Sequence, residues 1–134
     1  DLLVGADGIR SSVRKILLSE ATLPLHYLDC MVILGICKLS ALENIESPLL
    51  DGATVFQTAN GNERIYMMPY DADSVMWQLS FPMKEDEAKA LSDKGAYALK
   101  EEACRRIQWH EPIPSILAAT AETNNTAAAL KSLI

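Results

Sequence analysis

Three short runs, "ATVFQT", "ERIYMMPY" and "VMWQLSFP", constrain the fold of this chain more than any other feature. Each is rich in β-branched and aromatic residues, and they are separated by "ANGN" and "DADS", where Asn-Gly and Asp-x-Asp supply turn chemistry. The pattern predicts an antiparallel meander. In the last run Val75, Trp77, Leu79 and Phe81 fall on one face and Met76, Gln78 and Ser80 on the other. Side chains alternate across a strand, so one face is apolar and the other mixed. The mixed face is a candidate wall for a binding site.

Helical signals follow Pro82. "KEDEAKAL" pairs Glu85 with Lys89. Beyond Ser92, Ala96, Leu99, Ala103 and Ile107 make one stripe, with Glu101 to Arg105 and Glu102 to Arg106 expected on the exposed side. Pro112 and Pro114 break this helix and allow another short one. Upstream, Met31 to Cys37 reads as a strand covered on both faces, and 39–52 as a loop. Strands and helices segregate along the chain. The fold class expected is therefore α+β, an antiparallel sheet with helices packed on one face.

Composition excludes several functions. The formal net charge is −6 over 134 residues, and the twelve Lys and Arg are scattered, so nucleic acid is not an expected partner. The longest apolar run is far too short to span a bilayer. Cys30, Cys37 and Cys104 fit no metal or redox spacing, and are expected as reduced, mostly buried thiols in an intracellular, cytoplasmic protein. His26 and His110 lack a ligand cluster, so no metal site is expected.

The chain opens on "DLLVGADGIRSSVRK". Leu2 to Val4 read as a buried strand, Gly5 to Gly8 as a tight turn, and Ser11 as the cap of a short helix with Val13, Ile16 and Leu17 on its apolar side. Small residues there let backbone pass close to a ligand, and a helix start offers free N–H groups. Asp7 can accept hydrogen bonds from sugar hydroxyls, and Arg14 can direct its charge to the same place. Taken alone, these residues equally describe an ordinary turn, cap and surface charge.

"VGADGIRSSVR" also resembles a fingerprint of the FAD-dependent aromatic hydroxylases, flavoprotein monooxygenases similar to para-hydroxybenzoate hydroxylase. There an apolar strand leads into Asp-Gly, then Ser and, three residues after it, Arg; here Val4, Gly5, Asp7, Gly8, Ser11, Val13 and Arg14 match. By resemblance Asp7, Gly8, Ser11 and Arg14 form a cofactor-binding set for FAD, with NADPH or NADH as electron donor. The reaction implied is hydroxylation of an aromatic or similar small organic substrate, which lies against the sheet near Tyr66, Met68 and Gln78.

The division implied is 1–20 as the end of the FAD-binding domain, 21–120 as the substrate-binding sheet domain and 121–134 as an irregular tail. No Gly-x-Gly-x-x-Gly follows a strand in this sequence, so the chain is expected to be an internal fragment of a larger two-domain flavoprotein, inactive alone. Catalytic residues and oligomeric state stay open. Two alternatives stand beside this reading: a related flavoprotein that epoxidises, halogenates or reduces, and a non-catalytic sheet module that binds a partner protein.

Overall fold

The computed structural model describes residues 2–18, 26–43 and 45–122, and the backbone of 131–133. The expected meander is present as β2 (Phe56–Ala59), β3 (Arg64–Asp71) and β4 (Ser74–Pro82). β1 (Cys30–Lys38) pairs antiparallel with β4, and β5 (Lys131–Leu133) pairs antiparallel with β1, giving the order β2-β3-β4-β1-β5. At the β2–β3 turn, the Asn60 side chain accepts from the Asn62 and Glu63 backbone N–H groups at 3.0 and 2.8 Å, and Gly61 takes φ +94°. At the β3–β4 turn, Asp71 accepts from the Asp73 N–H at 2.9 Å.

Helices α2 (Glu85–Asp93), α3 (Ala96–Arg106) and α4 (Ile113–Ala119) lie on one face of the sheet, as the segregated pattern predicts. Leu99 and Ala103 of α3 and Ile113, Ile116 and Leu117 of α4 pack with Met31, Ile33, Trp77, Leu79 and Phe81 in one core. Trp77 is its largest fully buried side chain. Its indole N–H donates to Thr120 Oγ1 at 2.9 Å, and that hydroxyl donates to the Ile116 carbonyl at 2.8 Å, so the one polar atom of the ring is satisfied inside the core. Gly35, opposite Trp77 in the β1–β4 register, leaves room for the ring. A Cβ there would stand 2.7 Å from Nε1 and closer still to Cε2 and Cζ2.

Four sequence expectations are corrected. β1 is not covered on both faces: its residues alternate between fully and partly buried, because the helices lie on one side only. The 121–134 tail is not wholly irregular, since Lys131–Leu133 add a strand at the free edge of β1; its residues 123–130 lie outside the described residues. Glu101 does not pair with Arg105. It accepts from the Tyr97 hydroxyl at 3.1 Å, while Arg105 and Arg106 both converge on Glu102, at 2.7 Å each. Lastly, Leu2 to Val4 form no strand and are exposed, Leu2 by 89%, since they pair with no described strand.

Arg106 is the tie between α3 and the sheet. It bonds Glu102 and, across the fold, Glu63 of the β2–β3 turn at 2.7 Å, with its guanidinium 3.9 Å from the Phe81 ring centroid. Arg106→Ala is expected to lower stability by about 2 kcal/mol, because two carboxylates with little exposure lose their charged donor. Glu102 titrates below the ordinary carboxylate range, chiefly through the Arg105 hydrogen bond and then Arg106. A carboxyl whose folded pKa is depressed stabilises fully above its unfolded pKa and loses that contribution as pH falls through the folded value. Urea midpoints should therefore hold near neutrality and fall in acid, and Glu102→Gln should flatten part of that slope.

Candidate functional site: the opening turn and the open sheet face

The opening fingerprint folds as a self-bonded turn. Ser11 caps α1 (Ser12–Leu17), its hydroxyl oxygen accepting from the Arg14 N–H at 2.9 Å. Asp7 reaches over the same helix start. One carboxylate oxygen accepts from the Ser11 hydroxyl, the other from the Ser12 and Val13 N–H groups at 2.7 and 3.2 Å. These donors hold the Asp7 carboxyl below its ordinary range, the Ser11 hydroxyl most of all. Gly8 sits between them at φ +77°, a left-handed conformation costly to any residue with a Cβ. The Arg14 guanidinium folds back to donate to the Ile9 carbonyl and so closes the turn. Gly5 is needed for packing, since a Cβ there would meet the Val13 side chain at 2.7 Å.

Asp7, Gly8, Ser11 and Arg14 thus come together as the sequence predicts, but with different duties. The N–H groups of Ser12, Val13 and Arg14 are not free, because Asp7 and Ser11 take them. Asp-x-x-x-Ser-Ser was the signal for this: a carboxylate four residues before a capping Ser can fold onto the first helical turn. The apolar side of α1 is not buried either, with Ile16 82% exposed. The turn is therefore held by its own hydrogen bonds, and among the described residues nothing beyond Gly8's chain neighbours stands within 4 Å of where a Gly8 Cβ would be.

Tyr66, Met68 and Gln78 come together on the sheet face away from the helices. Strand register sorts that face into rows. Gln57, Tyr66, Gln78 and Leu34 are successive cross-strand partners, and the next row is Met68, Met76 and Ile36. Arg64, Ser80 and Val32 form the row on the other side. The side chains of Tyr66, Met68, Met76 and Gln78 are partly buried, so the face is neither packed nor fully wet. At its Arg64 end a concavity of about 460 Å³ runs between Arg64, Ser80, Pro82 and Asp29. Sequence parity missed Gln57, Leu34 and Ile36, because which residues of different strands share a row depends on register. No described hydrogen bond links this face to the opening turn.

His110 stands 3.0 Å from Thr58 Oγ1 and 3.0 Å from the Glu111 carbonyl, bracing β2 against the loop before α4. Among the described residues no group of three or more His, Cys, Asp and Glu could hold a metal ion, and no helix is long and apolar enough to cross a membrane.

The fold defined by this sheet, its helices and the opening turn is that of one portion of the FAD-dependent monooxygenases. A variant of Klebsiella pneumoniae HpxO complexed with FAD superposes with a TM-score of 0.70 at 19% identity, over 99% of this chain and 31% of that one. PqsL of Pseudomonas aeruginosa, a probable FAD-dependent monooxygenase, gives 0.63 at 22% identity, over 99% and 32%. A putative FAD-containing monooxygenase of Photorhabdus luminescens gives 0.66 at 20% identity, over 99% and 38%. The chain spans about a third of the length of these proteins. No protein-family model and no curated protein matches it.

Proposed function

We propose that this chain is the fingerprint turn and substrate-sheet portion of an FAD-dependent monooxygenase. The observation that carries the reading is the coincidence of two independent features. The whole chain follows the fold of FAD-dependent monooxygenases, and its Asp-Gly fingerprint closes into a self-bonded turn with open space beside Gly8. The exposed apolar surface of Leu2 to Val4, Ile16 and Leu17 suits a segment covered by further protein.

In this reading the chain supplies position rather than chemistry. The turn would hold FAD through the Gly8 backbone, Asp7 and Arg14, with Ser11 locking Asp7 and the helix start in place. Arg14 would lend positive charge to the flavin or to the nicotinamide donor. The flavin, when bound, supplies the redox chemistry. The sheet face would wall the substrate from water, with Tyr66, Met68 and Gln78 in contact with it. The balance is one substrate C–H, O₂, NADPH or NADH and a proton giving C–OH, water and the oxidised nicotinamide. HpxO has been seen with uric acid and PqsL with 2-aminobenzoylacetate, so small ring-bearing molecules are the natural test set.

The experiment is to screen ring compounds against the intact flavin-loaded parent protein. A compound within the true class should accelerate NADPH or NADH oxidation at least tenfold and leave as a product heavier by one oxygen atom. Acceleration with a halogenated or epoxidised product would keep the fold and replace the reaction. Flavin-independent capture of a partner chain by the sheet would instead support a binding module.

A further inference from the structure

Three turns of this chain share one shape. Asp7-Gly8, Asp51-Gly52 and Asn60-Gly61 each set a short polar side chain before a left-handed glycine, at φ +77°, +77° and +94°. Among the described residues, nothing beyond the chain neighbours stands within 4 Å of where a Cβ would be on any of these glycines. A side-chain carbonyl one carbon removed from the backbone, followed by an unhindered backbone nitrogen, can close a five-membered imide ring. All three turns are sterically open to that reaction, and their chemistry separates them.

The two aspartates are guarded by ionisation. Asp7 accepts from the Ser11 hydroxyl and the Ser12 and Val13 N–H groups, and Asp51 from the Ala53 and Thr54 N–H groups at 2.8 and 2.6 Å and the Thr54 hydroxyl at 2.7 Å. These donors hold both carboxyls below their ordinary range, the Ser11 and Thr54 hydroxyls most of all, and an ionised carboxylate is a poor electrophile. Asn60 carries a neutral amide instead. Its Oδ1 accepts from the Asn62 and Glu63 N–H groups at 3.0 and 2.8 Å, while its Nδ2 donates to Glu63 Oε2 at 3.2 Å. Two backbone donors thus converge on the oxygen that would turn negative as a nucleophile adds to Cγ, which is the arrangement of an oxyanion hole. Glu63 is itself held by Arg106 at 2.7 Å, so the amide is kept with its oxygen toward the donors. Asn60, Gly61 and Asn62 are exposed, and no described hydrogen bond uses the Gly61 N–H.

We propose that Asn60 is a modification site at which the folded turn promotes its own deamidation. The Gly61 nitrogen gives its proton to solvent base and bonds to Asn60 Cγ; the Cγ–Nδ2 bond breaks, and ammonia leaves with a proton taken from water. Water then opens the imide at either carbonyl, giving aspartate or isoaspartate, with no electron transferred. The balance is amide and water to carboxylate and ammonium. Either product removes the N–H that Asn60 donates to Glu63 and sets a second carboxylate beside it. Isoaspartate also lengthens the backbone inside the hairpin that the Asn60 N–H closes onto the Glu63 carbonyl at 3.1 Å. The turn that presents Glu63 to Arg106 is thereby loosened. This site acts whether or not the parent protein holds flavin.

The test incubates the intact parent protein in mildly alkaline buffer, native and in urea, and follows residues 7, 51 and 60 by peptide mapping with mass spectrometry. Asn60 is expected to deamidate about tenfold faster in the native protein than in urea, because the two N–H donors are aligned only in the fold. Asp7 and Asp51 should stay unmodified over the same period. The deamidated fraction, separated by its added charge, should unfold at lower urea than the unmodified protein. A native rate equal to or below the rate in urea overturns the proposal, as does isomerisation of Asp7 or Asp51 at the pace of Asn60. An unchanged urea midpoint in the deamidated fraction overturns the loosening of the turn.

Discussion

Gly35→Ala is expected to be the most damaging single-methyl change in the chain, lowering stability by about 3 kcal/mol or preventing folding. The added Cβ would stand 2.7 Å from the Trp77 indole nitrogen and deeper into the ring. Trp77 cannot retreat, because its N–H is held by Thr120 and the core packs around it. Overpacking costs most where neighbours have no free volume. Trp77→Leu should also be costly alone, by a few kcal/mol, yet the double variant should be markedly less unstable than the sum of the two. Urea denaturation of the four proteins gives the coupling; strict additivity would mean that Gly35 and Trp77 do not face each other.

Asp7→Ala is the change expected to separate stability from function most clearly. The carboxylate gathers the Ser11 hydroxyl and two backbone N–H groups, so its loss leaves the Ser12 and Val13 N–H groups without that acceptor while Ser11 still caps α1. Local helix stability should fall slightly. Since α1 contributes no residue to the core, the global urea midpoint should barely move. If the turn holds FAD, affinity for the flavin in the parent protein should drop by at least tenfold, with Asp7→Asn intermediate because an amide oxygen can still cap. The same argument gives a pH dependence. Asp7 titrates below the usual carboxylate range, so its capping is complete above that range and is lost as pH falls through the lowered value. Flavin affinity in the native protein should weaken at that acidic end, and in Asp7→Asn it should not. A flavin affinity insensitive to both substitutions would remove the turn from the cofactor site.

Much of this architecture was legible because its signals are local. Asn-Gly and Asp-x-Asp place the meander turns, alternation assigns Trp77 inward and Gln78 outward, and 3.6-residue spacing finds α3 through Leu99 and Ala103. What sequence could not give is set by long-range partners. Leu2 to Val4 have the composition of a strand, but hydrogen-bonded pairing needs a neighbour, and none is described beside them. Lys131–Leu133 lack strand character and become β5 because β1 has an open edge. Arg106 reads as an exposed helix charge, and its second partner, Glu63, lies far away in sequence. Within the candidate site, the identities of Asp7 and Ser11 were visible, while their mutual hydrogen bond, and the bonds they accept from the Ser12, Val13 and Arg14 N–H groups, belong to geometry.

The most direct test of the flavoprotein reading is the visible absorbance spectrum of the protein isolated from its native source, taken with its intact mass. A product about three times the size of this chain, carrying the two-banded spectrum of bound flavin and releasing FAD on denaturation, is the expected result. A native product that contains this sheet, is colourless as isolated and takes up no added FAD would contradict it.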